Sequence, residues 1–199
     1  MSAKEKIIVL KTFKHGESDI IVHGLNPLGA RMSFFARGAH KSRKRFAGGV
    51  LEPTHYIEVN YKPNPSPDGD GLHALLEASL IREFSGLRTD YARLEAALYL
   101  LKIVHKISQQ GVVDSAELFN LLGNALAAAE ISLDLPKLKL HFEVKLLAAQ
   151  GVLPIEEQYS PWLKNNLSSH EKVILPIDEF RWIEEQTHDH LRHYLGQIN

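Results

Sequence analysis

The chain has 199 residues, of which 44% are hydrophobic and 24% are charged, and it contains no cysteine. These proportions are those of a globular protein of one or two domains, and they exclude collagen-like and strongly disordered chains. The absence of cysteine excludes disulfides and cysteine-ligated metal sites, and it fits a reducing cytoplasm. No apolar run approaches the roughly 20 residues that cross a bilayer, and Ile7–Leu10 is too short for a signal peptide, so we expect neither.

Charge is distributed unevenly along the chain. Residues 1–50 contain ten Lys and Arg against three Asp and Glu, a net charge of +7, whereas residues 51–199 carry a net charge of −8. A strongly basic part joined to an acidic part favours a module that binds a polyanion, attached to a second module with another task.

The first 62 residues predict four β-strands. Each segment is rich in β-branched and aromatic residues and lacks helical spacing, and turn residues such as Asn26–Gly29 separate neighbouring segments. In the last of the four, apolar and polar residues alternate over Ile57–Tyr61, which indicates one packed face and one face that meets water or a ligand. The predicted strands are Lys6–Lys14, Asp19–Leu25, Ala30–Arg37 and Thr54–Lys62.

A fifth element follows a segment rich in proline and glycine. Lys62–Gly71 predicts a long hairpin connection or an interdomain linker. The next segment, Leu72–Leu80, fits either a strand or a helix, and its periodicity does not decide between them. Five short strands in about 80 residues favour a small closed barrel, which leaves no exposed sheet edge.

The rest of the chain shows helical spacing. The first helix is predicted over Asp90–Gln110, and it ends before Gly111, which suits a helix C-cap. Apolar residues recur along it at intervals of three and four, so we expect one face to be buried. That face comprises Tyr91, Leu94, Leu98, Leu101 and Ile107.

Three further helices are expected. Asp114–Glu117 resembles a capping box at the start of a helix over Ser115–Glu130. Pro136 suits the first turn of the next helix, which ends at Gly151. A last helix follows Ile177 and Asp178 and extends to Leu195, whereas residues 152–176 have no regular pattern. The interleaved Ala and Leu residues favour close antiparallel packing, as in a helical bundle.

The strongest candidate site is the basic stretch from Arg31 to Arg45. Six of its fifteen residues are Arg or Lys, none is Asp or Glu, and His40 adds a conditional charge. On an extended strand Arg31, Phe35 and Arg37 share a face, which would place an aromatic ring between two guanidinium groups. Such a surface suits single-stranded nucleic acid, and the alternative is a solvated basic loop with Phe35 buried. The predicted contacts are Arg31, Phe35, Arg37, Lys41, Arg43, Lys44 and Arg45.

Two smaller groups of cations are also candidates. Lys11 and Lys14 lie on the first predicted strand and would extend the same positive field, although each alone is typical of a surface lysine. Lys137, His141 and Lys145 recur every four residues beside an apolar helix face. Such a stripe fits the edge of a groove for an acidic peptide, and an ordinary outer helix surface is the alternative.

The sequence contains no enzyme signature. It has no P-loop, no GxGxxG after a strand, no GxSxG and no HExxH. His190 and His193 can share a helix face, but a catalytic zinc needs three convergent protein ligands. We therefore expect no catalytic residue, cofactor or metal, and a metal-dependent hydrolase that uses these histidines stays as an alternative.

Several sequence motifs, and their order along the chain, resemble those of a known protein family. Residues 7–53 read IIVLKTFKHGESDIIVHGLNPLGARMSFFARGAHKSRKRFAGGVLEP. They are followed by LIREFSGLRTDYARLEAALYLLKIV and, at residues 146–154, by LLAAQGVLP. In these segments and their spacing the chain resembles the RecO family of bacterial DNA-repair and recombination mediators.

The resemblance implies a five-stranded OB-fold barrel over residues 1–80 and an α-helical domain over residues 81–199. It implies a cytoplasmic, nucleoid-associated protein that is not an enzyme, binds single- and double-stranded DNA, and anneals complementary strands. It also implies that the protein works with RecR to load RecA on DNA coated by SSB. The SSB tail docks on the helical domain of the family, and Lys137, His141 and Lys145 are the candidates for that site.

One departure from the family pattern concerns zinc. Many similar sequences carry a four-cysteine zinc site after Gly-x-Leu-Pro, whereas no cysteine follows Gly151–Pro154. We therefore expect no zinc, with the segment 152–176 held by packing of Tyr159, Trp162 and Leu167. Two other functions stay open: an RNA-binding module on the same barrel, and a protein adaptor whose basic loop binds an acidic partner.

Overall fold

The computed structural model of the chain describes residues 1–64, 71–108, 116–154 and 156–198. The chain divides into two compact units. The first, which we call the barrel unit, comprises Met1–Phe84 and Leu101–Phe119. The second, which we call the helical unit, comprises Ser85–Leu100 and Asn120–Asn199.

The barrel unit contains five strands that pair in the order β1-β2-β3-β5-β4 and close into a barrel. The long first strand pairs with both β2 and β4 and so closes it. The predicted five-stranded OB-type barrel is thus confirmed, and the segment that fitted either a strand or a helix is the fifth strand. The strands are β1 (Ala3–His15), β2 (Asp19–Leu25), β3 (Arg31–Ala36), β4 (Tyr56–Lys62) and β5 (His73–Arg82).

Alternating side chains fill the barrel. Val22 on β2 pairs with Phe34 on β3, and both are fully buried. On β4, Ile57 and Val59 are fully buried while Glu58 between them is not, as the alternation predicted. The connection between β3 and β4 adds Ala39, Phe46, Val50 and Leu51 to the same core. This connection therefore packs onto the barrel instead of extending into solvent.

Strands β1 and β2 approach closely at Gly24. A Cβ atom added to Gly24 would lie 2.4 Å from Cδ1 and 2.9 Å from Cβ of Ile7, which is fully buried. The side chain of Ile7 therefore occupies the space that any larger residue at position 24 would need.

Gly24→Ala is expected to lower the free energy of unfolding by about 1–3 kcal/mol, as overpacking of a core does. Urea unfolding followed by far-ultraviolet circular dichroism measures this change. In an Ile7→Ala background the same substitution should cost less, because the clashing side chain has gone. Equal costs in the two backgrounds would contradict the close approach.

The chain after the barrel strands is mainly helical, as predicted. One helix begins as expected: Pro136 lies in its first turn, and Asp134 caps it by accepting a hydrogen bond from Lys137 N at 3.1 Å. The predicted cap at Gly111 and the first two residues of the capping box, Asp114 and Ser115, lie outside the described residues. The helices are α1 (Tyr91–Ile107), α2 (Ala116–Ala129), α3 (Leu135–Ala149), α4 (Ser160–Lys164) and α5 (Ile177–Gln197).

The buried face of α1 differs from the prediction. Leu101 and Ile107 are buried, but Tyr91 is 82% exposed and Leu98 is 45% exposed. The other buried residues of this helix are Ala96, Ala97, Leu100, Ile103 and Val104. The spacing of the large apolar side chains misled the prediction, because two adjacent alanines carry part of the packing.

In the described part of the segment 152–176, the regular structure consists of two 3₁₀ turns and the short helix α4. Tyr159, Trp162 and Leu167 are all buried, which confirms that packing holds this segment. His170 is buried as well, and its ring nitrogens lie 2.7 Å from Ser132 Oγ and 2.8 Å from Leu167 O.

Two histidines near the C-terminal end of α5 interact with their own helix. His190 Nδ1 lies 2.6 Å from Gln186 O, and His193 Nε2 lies 2.8 Å from Gln197 Nε2. Across the described part of the chain, no three or more His, Asp or Glu side chains come together as a set that could hold a metal ion. No helix within the described residues has the length and apolar character needed to cross a membrane.

Candidate nucleic-acid interface

One outer face of the barrel unit carries aromatic and basic side chains from β1, β2 and β3. Directly paired residues of antiparallel strands point to the same side of the sheet, and the side alternates along each strand. Because the row that contains Val22 and Phe34 is buried, the two neighbouring rows point outward. These outward rows are Lys11–His23–Ser33 and Phe13–Ile21–Phe35.

Phe35 is half-buried on this face, and its ring meets the exposed side chain of His15 edge to face. The two ring centroids are 5.5 Å apart and the ring planes make an angle of 82°. Nearby, Phe13 contacts His23 at 5.0 Å between centroids, and Lys11 Nζ lies 4.6 Å from the centroid of Phe13. Aromatic and cationic groups therefore do alternate on this face, but the close neighbour of Phe35 is an imidazole and not a guanidinium group.

Arg31 lies at the opposite end of β3 from the rest of the basic stretch. Six residues of extended strand, about 20 Å, separate it from Arg37. Its Nη1 donates to the carbonyl oxygen of His105 at 3.0 Å, and His105 Nε2 lies 2.8 Å from His23 Nδ1. Burial, followed by the nearby charge of Arg31, lowers the pKa of His105 to about 4, so this pair of rings is neutral at pH 7. The end of α1 therefore occupies this part of the face.

The residues after β3 are anchored to the barrel by hydrogen bonds. Gly38 has a left-handed backbone conformation with φ of 66°, and its N–H donates to Asp19 Oδ1 at 2.7 Å. His40 N donates to Ser18 O at 3.0 Å. These two bonds hold the start of the basic loop against the turn between β1 and β2.

Arg45 fixes the other end of this loop. Its Nη2 donates to Arg37 O at 2.8 Å, and its guanidinium group lies 5.1 Å from the ring centroid of the buried Phe46. Ala78 N on β5 donates to Arg45 O at 3.1 Å. The structure therefore brings Arg37 and Arg45 together, although they are eight residues apart in sequence.

The remaining cations of the loop have no acidic partner among the residues that the structure describes. The side chains at positions 37, 41, 43 and 44 are exposed, and in the described ranges no carboxylate lies within ion-pair distance of them. Lys11 and Lys14 are exposed too, whereas Lys4 pairs with Glu58 at 3.0 Å. We call the group of Lys14, Arg37, Lys41, Arg43, Lys44 and Arg45 the basic cluster.

The second predicted site, the stripe on α3, does not form as an exposed cationic row. His141 is fully buried, and its Nε2 lies 2.6 Å from Trp162 O. Lys137 Nζ pairs with Asp134 Oδ2 at 3.3 Å, and Lys145 Nζ donates to Leu163 O at 2.9 Å. Burial lowers the pKa of His141 to about 4, so this side chain is neutral at pH 7 and packs in the interior.

The histidines of the face are the residues that sequence analysis missed. His15 and His23 occupy outward positions that the strand alternation could have identified once the strand pairing was known. No local signal points to His105, because its contact with His23 joins residues 82 positions apart.

The burial of His141 predicts an acid-dependent loss of stability. Its folded-state pKa of about 4 is below the unfolded value of about 6.5, so the unfolded chain binds the proton more tightly. The free energy of unfolding should therefore fall as the pH drops from 6.5 to 4, by up to about 3 kcal/mol from this residue. Both tryptophans, Trp162 and Trp182, lie in the helical unit, so their fluorescence during urea unfolding measures this change.

His141→Gln is the matched variant for this measurement, since its side chain does not titrate. The difference in unfolding free energy between the wild type and this variant should shrink as the pH falls from 7 to 4. A difference that stays constant over this range would contradict a neutral, buried His141.

Comparisons with known proteins find similarity over the barrel and over most of the chain. Residues 1–84 match the family model described as Recombination protein O N terminal. The DNA repair protein RecO of Anaeromyxobacter dehalogenans strain 2CP-1 is 34% identical over 152 residues, which cover 76% of this chain and 58% of that protein. The RecO of Maridesulfovibrio salexigens is 30% identical over 154 residues, which cover 77% of this chain and 61% of that protein.

The barrel, its basic connection and the matched model define an OB-fold module of the RecO N-terminal type over residues 1–84. By this match the barrel belongs to the family of RecO N-terminal domains, and along about three quarters of its length the chain is similar to RecO proteins. The chain spans about three fifths of the length of these relatives.

Proposed function

We propose that the barrel unit binds nucleic acid, and DNA in particular, through the basic cluster and the neighbouring aromatic face. The observation that carries this proposal is a group of exposed cations, most of them on the loop that follows the strand of the half-buried Phe35, with no carboxylate within ion-pair distance among the described residues. In OB folds the face of the second and third strands commonly binds oligonucleotides, together with the loops between strands one and two and between strands four and five. The basic loop of this chain directly follows β3. The proposed contacts are Lys11, Lys14, Phe35, Arg37, Lys41, Arg43, Lys44 and Arg45.

Arg31 has a different place in this proposal. Its guanidinium group donates to the carbonyl oxygen of His105 at the end of α1, so it supports one end of the aromatic face. We propose that the bound nucleic-acid strand runs over the opposite end of this face. Burial lowers the pKa of both His23 and His105 beside it, so these rings contribute little positive charge at pH 7 to attract phosphates.

Cations of this kind bind the phosphates of single- and double-stranded DNA alike, because the phosphate carries no sequence information. Neutralised phosphates also repel each other less, which favours the pairing of two complementary strands. We therefore propose strand annealing as an activity of the bound complex. It requires no covalent chemistry.

At the level of the pathway, we propose that the chain acts in DNA repair and recombination, as the names of its relatives suggest. RecR, SSB and RecA are the proposed partners, on the strength of the family resemblance. For the SSB tail we propose no contact through His141, because that side chain is buried.

The salt dependence of binding tests the phosphate contacts. About five contacts predict a slope near −3.5 for log affinity against log salt with single-stranded DNA, at about −0.7 per contact. Arg43→Glu with Lys44→Glu should remove two contacts and reduce the slope to about −2, with a similar loss for every sequence. Fluorescence anisotropy of labelled oligonucleotides at several salt concentrations measures both quantities.

The matched control is Lys164→Glu with Arg181→Glu, which changes the net charge equally at two exposed positions of the helical unit. It should leave affinity and slope close to the wild type. A slope near zero for the wild type would contradict the proposal, and preferential binding of RNA of the same sequence would favour an RNA-binding module. Binding of an acidic protein but of no oligonucleotide would favour an adaptor.

Phe35→Ala should weaken binding of single-stranded DNA by about 1–3 kcal/mol, which is the usual contribution of stacking on an aromatic ring. Phe35→Tyr keeps the ring and should bind nearly as the wild type does. The salt slope should not change in either variant, because no cation is removed. Equal affinities for Phe35→Ala and the wild type would exclude stacking on this ring.

A further inference from the structure

The barrel unit contains a cleft of about 470 Å³ next to the basic cluster. One wall comes from Thr12 on β1 and Ile20 on β2, and the other comes from the connection between β3 and β4. The size is within the range of about 300–1,000 Å³ that is typical of clefts for one small molecule.

The lining of the cleft combines an apolar part with polar groups. Ile20, Phe46 and Leu51 supply the apolar part, and His40 and Ser42 supply ring nitrogens and a hydroxyl group. A flat ring system with hydrogen-bonding groups along its edges fits such a lining better than an alkyl chain or a lone anion does.

Backbone forms part of the wall. Gly48 and Gly49 line the cleft, and both have left-handed backbone conformations, with φ of 64° and 70°. A Cβ atom on Gly49 would lie 2.5 Å from Glu52 Oε1, so the absence of a side chain lets this carboxylate pack beside the wall. The cleft therefore presents main-chain groups, which hydrogen-bond to bases without requiring one particular sequence.

The lining of the cleft carries one acidic and one basic side chain. Glu52 lines the cleft, and its carboxylate repels a phosphate but accepts hydrogen bonds from the amino groups of bases. Arg43 lines the cleft as well, and its guanidinium group is without an acidic partner among the described residues. Lys14 pairs with Ile20 and shares its side of the sheet with Thr12, so it lies beside the same opening.

We propose that this cleft holds one unpaired nucleobase of a bound strand, with the flanking phosphates on Arg43 and Lys14. This inference rests on the proposed nucleic-acid binding and adds a particular subsite to it. A base can enter the cleft only when it is unpaired, so the cleft favours single strands over duplexes at this point of the path.

The first test maps the cleft in the unmodified protein. Amide ¹⁵N–¹H nuclear magnetic resonance spectra are recorded with a short oligodeoxycytidylate and with an abasic strand of the same length. The amide signals of Gly48 and Gly49 should shift with the base-bearing strand and not with the abasic one. Equal shifts with both strands, or no shift in these amides, would overturn the assignment of a base to the cleft.

The second test blocks the cleft. Ala47 is exposed and lines the cleft, so Ala47→Phe should weaken binding of single-stranded DNA by roughly 5- to 150-fold, the loss of one stacked base. The salt slope should stay the same, because the cations are unchanged. Ala92→Phe, at an exposed alanine that does not line the cleft, should bind as the wild type does.

The outcomes distinguish the subsite from the proposed function. Normal affinity and a normal salt slope in Ala47→Phe would overturn the subsite while nucleic-acid binding stands. The absence of oligonucleotide binding by the wild type at low salt would overturn the proposed function and the subsite together.

Discussion

The proposed nucleic-acid interface depends on the anchoring of a highly charged loop to the barrel. Like charges repel, so a loop with several lysines and arginines favours extended, solvated conformations unless other contacts hold it. Here the carboxylate of Asp19 accepts the Gly38 N–H, and Arg45 donates to Arg37 O. The ring of Phe46 is buried in the barrel core. These contacts fix both ends of the loop and leave the cations between them exposed.

This arrangement explains why the acidic residues of the chain do not cancel the basic ones. The carboxylate of Asp19 contacts the loop backbone directly, and it is used to hold Gly38. The large negative charge after residue 50 therefore coexists with an exposed positive surface on the barrel unit. In the proposed function this cluster attracts a polyanion from solution, and the half-buried ring of Phe35 is the proposed stacking surface for a base.

Much of the fold follows from sequence patterns, because strand alternation and turn residues are local signals. The four early strands, the barrel and the packing role of Tyr159, Trp162 and Leu167 were all predicted correctly. The buried face of α1 was predicted wrongly, since part of it is formed by Ala96 and Ala97, whose small side chains contribute little to a hydrophobic sequence pattern. Charge patterns located the basic loop but could not show that Arg31 bonds to His105, or that His141 is buried against Trp162. Both contacts join residues far apart in sequence.

Hydrogen–deuterium exchange of the whole chain with and without single-stranded DNA tests the central claim most directly, because it locates the contact without any substitution. Binding through the anchored loop predicts slower exchange of backbone amides in residues 37–45 and on β2 and β3. Protection confined to the helical unit, with no change in residues 37–45, would contradict it.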